Sequence, residues 1–208
     1  MLRTTLRFTC VLAFGLAGSL VLAQEFSADI VNLKRESGGM SKIYVGKDKV
    51  RMESQDRQGG PGAFIIDEAK NTRVALMPDK HMYMDFGQMP MLPLAFSFWR
   101  PTDANDACSQ WLKIAEQMKT RNKVSNCTKV GSDSVNGRSA VKYQGTSTDG
   151  KTTYVWVDTK LRFVVKTEGA DSGMEMRNIQ EASQPASMFE IPAGYTKFDM
   201  GSMMKQPQ

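Results

Sequence analysis

The sequence has few of the groups that most enzymes need: 208 residues include one histidine, His81, and three cysteines. His81 is therefore the single candidate base for a serine or cysteine triad. The motifs G-x-S-x-G and H-E-x-x-H are absent, and the glycine-rich stretch at 59–62 lacks the lysine of a phosphate-binding loop. Acidic residues such as Glu53, Asp67 and Asp85 would form a carboxylate pair only if the fold brought them together. The sequence predicts a protein that is not an enzyme, with no catalytic residue and no cofactor.

A run of basic residues is also missing. Lysine and arginine number 27 against 22 aspartates and glutamates, a formal net charge of +5, and the basic residues are scattered along the chain. Binding to a phosphate backbone requires a clustered basic surface. We therefore expect no nucleic-acid partner.

Long apolar runs are absent except near the amino terminus. There, two arginines precede an apolar run over residues 8–23 that ends in small or modest side chains. This order is typical of a secretory signal peptide, so we predict a signal peptide over 1–23 with cleavage near Ala23. Cys10 lies inside the run rather than at the cleavage point, where a lipid would be attached. We expect a secreted or periplasmic protein with no transmembrane segment after cleavage.

Cysteine is scarce in the remaining chain, where only Cys108 and Cys127 are left. An even cysteine count in an oxidising compartment predicts one disulfide. A metal-binding or redox pair would have the close spacing of C-x-x-C, which these two residues lack. We expect a structural bridge that contributes about 3 kcal/mol to stability.

Most of the chain shows the alternation of β-strands. The stretches SKIYVG and KVRMES flank a tight turn at Gly46-Lys47-Asp48. Within them apolar and polar side chains take alternate positions, which predicts a sheet with one apolar face. The apolar positions are Ile43, Val45, Val50 and Met52.

One helix interrupts the strands. Residues 103–120 place Trp111, Ile114, Ala115 and Met118 at helical spacing, which predicts an amphipathic helix. Strands resume afterwards, and the Asn-Gly and Asp-Gly pairs at 136–137 and 149–150 are typical of hairpin turns. The pattern indicates a mainly β fold of about ten short antiparallel strands, which either close a barrel or form a curved open sheet.

Five stretches carry a resemblance to a known family: FSADIV, SKIYVGKDKVRMES, VALMPDKHMYMDF, YVWVDTKLRFVVKTE and MFEIPAGY. With the signal peptide and the helical middle, they resemble the LolA/LolB-type periplasmic lipoprotein carriers, and in particular uncharacterised secreted branches of that superfamily. The resemblance implies one domain over 24–200, followed by a flexible tail at 201–208. It also implies a half-open antiparallel β-barrel, covered by helices that act as a lid over an apolar cavity. In the carrier members that cavity holds acyl chains.

The candidate ligand site combines methionines on strands with an apolar connecting segment. Met82, Met84 and Phe86 continue the alternation of the earlier strands, and methionine suits surfaces that accept varied ligands. The segment MPMLPLAFSFW at 89–99 contains two prolines and is too apolar for a free loop. We therefore predict a cavity for a lipid or acyl chain, used in trafficking or sensing, with a possible envelope protein as a further partner. The predicted lining and lid are Met52, Met82, Met84, Phe86, Leu92, Phe96, Trp99, Trp111, Met174 and Met176.

Two other functions use the same residues. Copper(I) prefers thioether and imidazole ligands, so His81, Met82 and Met84, with Met89 or Met91, are possible ligands. Alternation along a strand places His81 on the face opposite Met82 and Met84, so we do not predict a metal site. Alternatively, the methionines fill a solid core, and the protein is an interaction module whose partner docks on a sheet edge or on the lid.

Overall fold

The computed structural model describes residues 25–34, 41–56, 60–87, 100–117 and 123–198, and these form a mainly β structure. The single helix of the described residues, α1, spans Ala107–Gln117. The strands are β1 (Phe26–Asn32), β2 (Ser41–Val45), β3 (Lys49–Asp56), β4 (Gly60–Asp67), β5 (Thr72–Met77), β6 (Met82–Asp85), β7 (Val124–Val135), β8 (Arg138–Ser147), β9 (Thr152–Asp158), β10 (Phe163–Gly169), β11 (Gly173–Glu181) and β12 (Thr196–Lys197).

All twelve strands belong to one curved sheet, in the order β12-β6-β5-β4-β3-β2-β1-β11-β10-β9-β8-β7. Neighbours are antiparallel, except that β12 runs parallel to β6. The first strand joins two runs of consecutive hairpins by pairing with both β2 and β11. The mainly β fold and its curved, open sheet are thus confirmed.

Of the two arrangements that the strand pattern allows, the closed barrel is not formed. The edges of the sheet are β12 and β7, which lie at opposite ends of the strand order. The outer edge of β6 is taken by the carboxy-terminal residues of β12 rather than by β7. The sheet therefore stays open.

The predicted hairpin turns are present. Asn136 and Gly137 both have positive φ, at 50° and 78°, and join the directly paired residues Val135 and Arg138. Positive φ at both central residues is the requirement of a type I′ turn, which explains the Asn-Gly sequence. The edge strand β7 also contains two irregularities in its pairing with β8, between Val124 and Asn126 and between Lys129 and Gly131.

The helix is fixed to the sheet at its first turns. The predicted disulfide between Cys108 and Cys127 is present and links α1 to β7. The Tyr143 hydroxyl donates a hydrogen bond of 2.7 Å to the Ala104 carbonyl oxygen, just before the helix. The indole of Trp111 lies directly over Gly145, where a Cβ atom would come within 2.6 Å of the ring. These contacts give the helix one defined position.

Three apolar clusters hold the sheet together. The largest contains buried residues of β1–β3 and β8–β11, among them Phe26, Ile43 and Met176. A second lies between α1 and strands β8–β10. A third lies where the carboxy-terminal segment, defined here as residues 185–198, places Phe189 over β4 and β5. The two faces of β2–β6 are therefore covered differently.

Candidate functional site

A continuous row of apolar side chains crosses six neighbouring strands. Residues directly opposite each other in antiparallel strands project from the same face, so the register shows which side chains share a surface. The register gives the row Ala28, Ile43, Met52, Phe64, Ala75 and Met84, from β1 to β6. The predicted common face of Ile43, Met52 and Met84 is thus present in the pairing.

A second row runs beside the first. Its members on β1 to β4 are apolar: Phe26, Val45, Val50 and Ile66. The row continues with Arg73 on β5 and with Phe86, which follows β6. The rings of Phe86 and Phe64 lie 6.0 Å apart, which connects the two rows. Arg73 is the polar interruption, and its guanidinium donates a hydrogen bond to the Asn71 side chain. We call the outer part of this surface, formed by Met52, Phe64, Met77, Met82, Met84 and Phe86, the methionine face.

Burial changes along the first row. Ala28 and Ile43 are 1% and 0% exposed and belong to the core. Met52, Phe64 and Met84 are only half-buried, although they continue the same line. The inner end of the row is therefore packed in the core, whereas the side chains at the outer end are partly exposed.

Met77 is a member of this face that the sequence interpretation missed. It lies directly opposite Met82 in the pairing of β5 with β6, and Ala75 lies opposite Met84. The signal was available, because Ala75 and Met77 are separated by two positions in TRVALM. The register of β5 with β6 is needed to decide which β5 side chains share a face of the sheet with Met82 and Met84.

His81 lies apart from the methionines. It has a left-handed backbone conformation, with φ of 49°, and precedes β6, which begins at Met82. Its ring lies 5.8 Å from that of Tyr195, a residue of the carboxy-terminal segment packed on the opposite side of the sheet. The predicted strand includes His81, and the turn at Pro78–Lys80 explains why the observed strand starts one residue later.

The acidic residues considered for catalysis have separate partners. Glu53 accepts a hydrogen bond of 2.8 Å from Arg51, and Asp67 lies 3.5 Å from Lys49. Lys197 donates to Asp85 at 2.9 Å, and this bond lowers the pKa of the Asp85 carboxyl. Across the described ranges, no group of three or more histidine, cysteine, aspartate or glutamate side chains could hold a metal ion.

The remaining predicted lining residues occupy three different positions. Met176 is fully buried opposite Ile30 in the largest apolar cluster. Met174 is half-buried and contacts both that cluster and the second cluster, which lies under α1. Trp111 lies in the cluster under α1, separate from the methionine face. Leu92, Phe96 and Trp99 lie outside the described residues. The structure thus brings together Met52, Met82, Met84 and Phe86.

Arg100, the first described residue after Gly87, is held in place by hydrogen bonds. Its guanidinium donates hydrogen bonds to the carbonyl oxygens of Gly46 and Lys47, at 2.5 and 3.0 Å. The same group lies 5.8 Å from the centre of the Phe163 ring, and burial lowers its pKa. Hydrogen bonds therefore hold Arg100 against the turn between β2 and β3.

The fold and this surface define a class: a mainly β protein with one curved, open sheet, whose apolar face is half-buried at the outer strands. The disulfide is typical of proteins that fold in an oxidising compartment. No helix in the described part of the chain is long and apolar enough to cross a membrane.

Comparison with known proteins gives no closer identification. No family model and no curated protein matches the chain. A solved structure of an uncharacterized conserved protein from Thermus thermophilus matches with a TM-score of 0.56 and 8% identity, over 86% of this chain and 91% of that one.

Two further solved structures match over smaller shares or with lower scores. PNGF-II matches with a TM-score of 0.50 and 13% identity, over 88% of this chain and 32% of that one. A LolA superfamily protein from Nitrosomonas europaea matches with a TM-score of 0.32 and 8% identity, over 81% of this chain and 90% of that one. At these identities the likeness concerns the fold alone.

Proposed function

We propose that the protein is a secreted, non-enzymatic binding protein of the cell envelope that holds an acyl chain or another apolar ligand on its methionine face. Its role would be lipid or lipoprotein trafficking, or sensing of an envelope component. The observation that carries this proposal is the apolar row from Ile43 to Met84, which runs from fully buried to half-buried without a polar residue.

The dimensions of the row suit an extended chain. Ile43 and Met84 lie on strands separated by four inter-strand steps, and each step is about 4.8 Å, so the row is roughly 19 Å long. An alkyl chain laid across it would gain about 0.8 kcal/mol for each methylene group removed from water. Methionine side chains are flexible enough to adapt to chains of different length and shape.

The segment at 89–99 supplies the second wall in this proposal. Its residues Leu92, Phe96 and Trp99 would cover the ligand. The helix bearing Trp111 would not take part in covering the ligand, because the Cys108–Cys127 disulfide and Tyr143 hold it on the sheet, separate from the methionine face.

Binding of a fluorescent fatty acid tests the proposal, together with native mass spectrometry of the gently purified protein. We expect a bound lipid, displacement of the probe, and an affinity at least about tenfold lower in Phe64→Glu, because the carboxylate would have to be desolvated. Val130→Glu is the matched control, since Val130 is 53% exposed on the edge strand β7, far from the row in strand order. Absence of both lipid and displacement in a folded sample would overturn the proposal and favour a protein-interaction module.

A further inference from the structure

Three methionines are neighbours at the outer end of the methionine face. Met77 and Met82 are directly opposite each other on β5 and β6, and Met84 follows two positions along β6 on the same side. Opposed residues have Cβ atoms about 5 Å apart, and residues two apart on a strand are separated by about 6.8 Å. Three flexible methionine side chains at these separations can direct their sulfur atoms to one point.

The partial exposure of the three methionines and the chemistry of their thioethers favour the binding of a soft metal ion. All three methionines are half-buried rather than sealed in the core. Thioethers select soft metal ions such as copper(I) over hard ions such as magnesium or calcium. Asp85, the acidic residue between Met84 and Phe86, projects from the opposite face and is bound by Lys197. The Asp85 carboxylate is therefore not directed at the three methionines.

We propose that Met77, Met82 and Met84 form a three-thioether site for a monovalent soft metal ion, copper(I) or silver(I). The site needs no imidazole, because His81 is held beside Tyr195 on the other side of the sheet. Its three ligands come from one hairpin, so the site is complete within the described residues and does not depend on the binding of an acyl chain. The ion enters and leaves with its charge unchanged.

Silver(I) is the probe of choice because it does not change oxidation state during a titration. The chain is labelled with 13C in its methionine methyl groups and titrated with silver nitrate in a chloride-free buffer. Single Met→Leu variants assign the signals. We expect the signals of Met77, Met82 and Met84 to shift together and to saturate at about one equivalent, since one ion takes all three sulfur atoms.

Leucine variants test which methionines bind the ion. Met77→Leu/Met82→Leu/Met84→Leu should lose at least tenfold in silver affinity, because leucine replaces the three thioethers with apolar groups of similar volume that cannot bind a metal ion. Met52→Leu/Met174→Leu, which changes two other half-buried methionines, should bind silver as the unsubstituted chain does. Unchanged silver affinity in the triple variant, or earlier saturation of other methionine signals, would overturn the metal site whatever the fatty-acid result.

Discussion

Gly145 lies directly under the indole of Trp111, and this pair shows how a residue without a side chain positions a whole helix. The nearest ring atom would be 2.6 Å from a Cβ at position 145, which is closer than real Cβ contacts. Trp111 is almost fully buried at this point, so it has no free side toward which to move. The small residue is therefore a condition for helix docking.

Gly145→Ala should lower the free energy of unfolding by about 1–3 kcal/mol, because the added methyl group overpacks the contact with Trp111. Urea unfolding followed by tryptophan fluorescence measures the change. Gly62→Ala is the matched control, since a Cβ there would meet its nearest neighbour at an ordinary 3.7 Å. Equal stability of the two variants would contradict the role assigned to Gly145.

At the scale of elements, a charged network joins strands that are distant in sequence. Arg138 at the start of β8 lies 2.6 Å from the buried carboxylate of Asp158 and 2.7 Å from Glu181 at the end of β11. Lys160, in the turn between β9 and β10, also binds Glu181. The network ties the ends of three strands, β8, β9 and β11, to the turn between β9 and β10, and its acidic members must be ionised to act.

The network gives stability a defined pH dependence. Hydrogen bonds from Lys160 and Arg138 lower the pKa of Glu181 below its ordinary 4.5. A lowered folded-state pKa means that the stabilisation is complete above the unfolded value and is lost as pH falls through the folded one. We expect the melting temperature to fall below about pH 4.5, and to fall less steeply in Glu181→Gln. Identical acid profiles of the two proteins would show that Glu181 does not contribute.

Local pattern predicted the hairpins but could not predict how distant elements pair. Asn136 and Gly137 specify their turn by themselves, because both need positive φ. The pairing of β1 with β11 joins residues such as Ile30 and Met176, and no local pattern marks that contact. Met77 was missed for a similar reason: its face depends on register with β6, whereas the face of Met82 and Met84 follows correctly from alternation.

At the scale of the whole molecule, the two faces of β2–β6 are covered to different extents. One face carries Ile65 and Leu76, which are buried beneath Phe189 of the carboxy-terminal segment. The other is the methionine face, whose outer residues stay half-buried. The carboxy-terminal segment thus packs on one side of these strands, and the proposed ligand site is on the other.

Phe189→Ala should lower the stability of the fold without changing the affinity for a fatty acid. It removes a side chain that is 8% exposed, so the free energy of unfolding should fall by about 3 kcal/mol. Because Phe189 packs on the face opposite Phe64, affinity for a fatty acid should change less than about threefold in protein that remains folded. Thermal unfolding and probe displacement, measured on one preparation, compare the two. A parallel loss of affinity would mean that the faces are coupled.

An open sheet has edge strands, and one of them, β7, pairs irregularly with its neighbour β8. A regular edge strand offers backbone donors and acceptors at even spacing, on which a strand from another chain can assemble. The two interruptions in β7 break that spacing, and Lys129 beside one of them adds a charge. The opposite edge, β12, is two residues long. Among the described strands each edge is thus a poor template for fibre growth, so the sheet can stay open without pairing edge to edge with another copy.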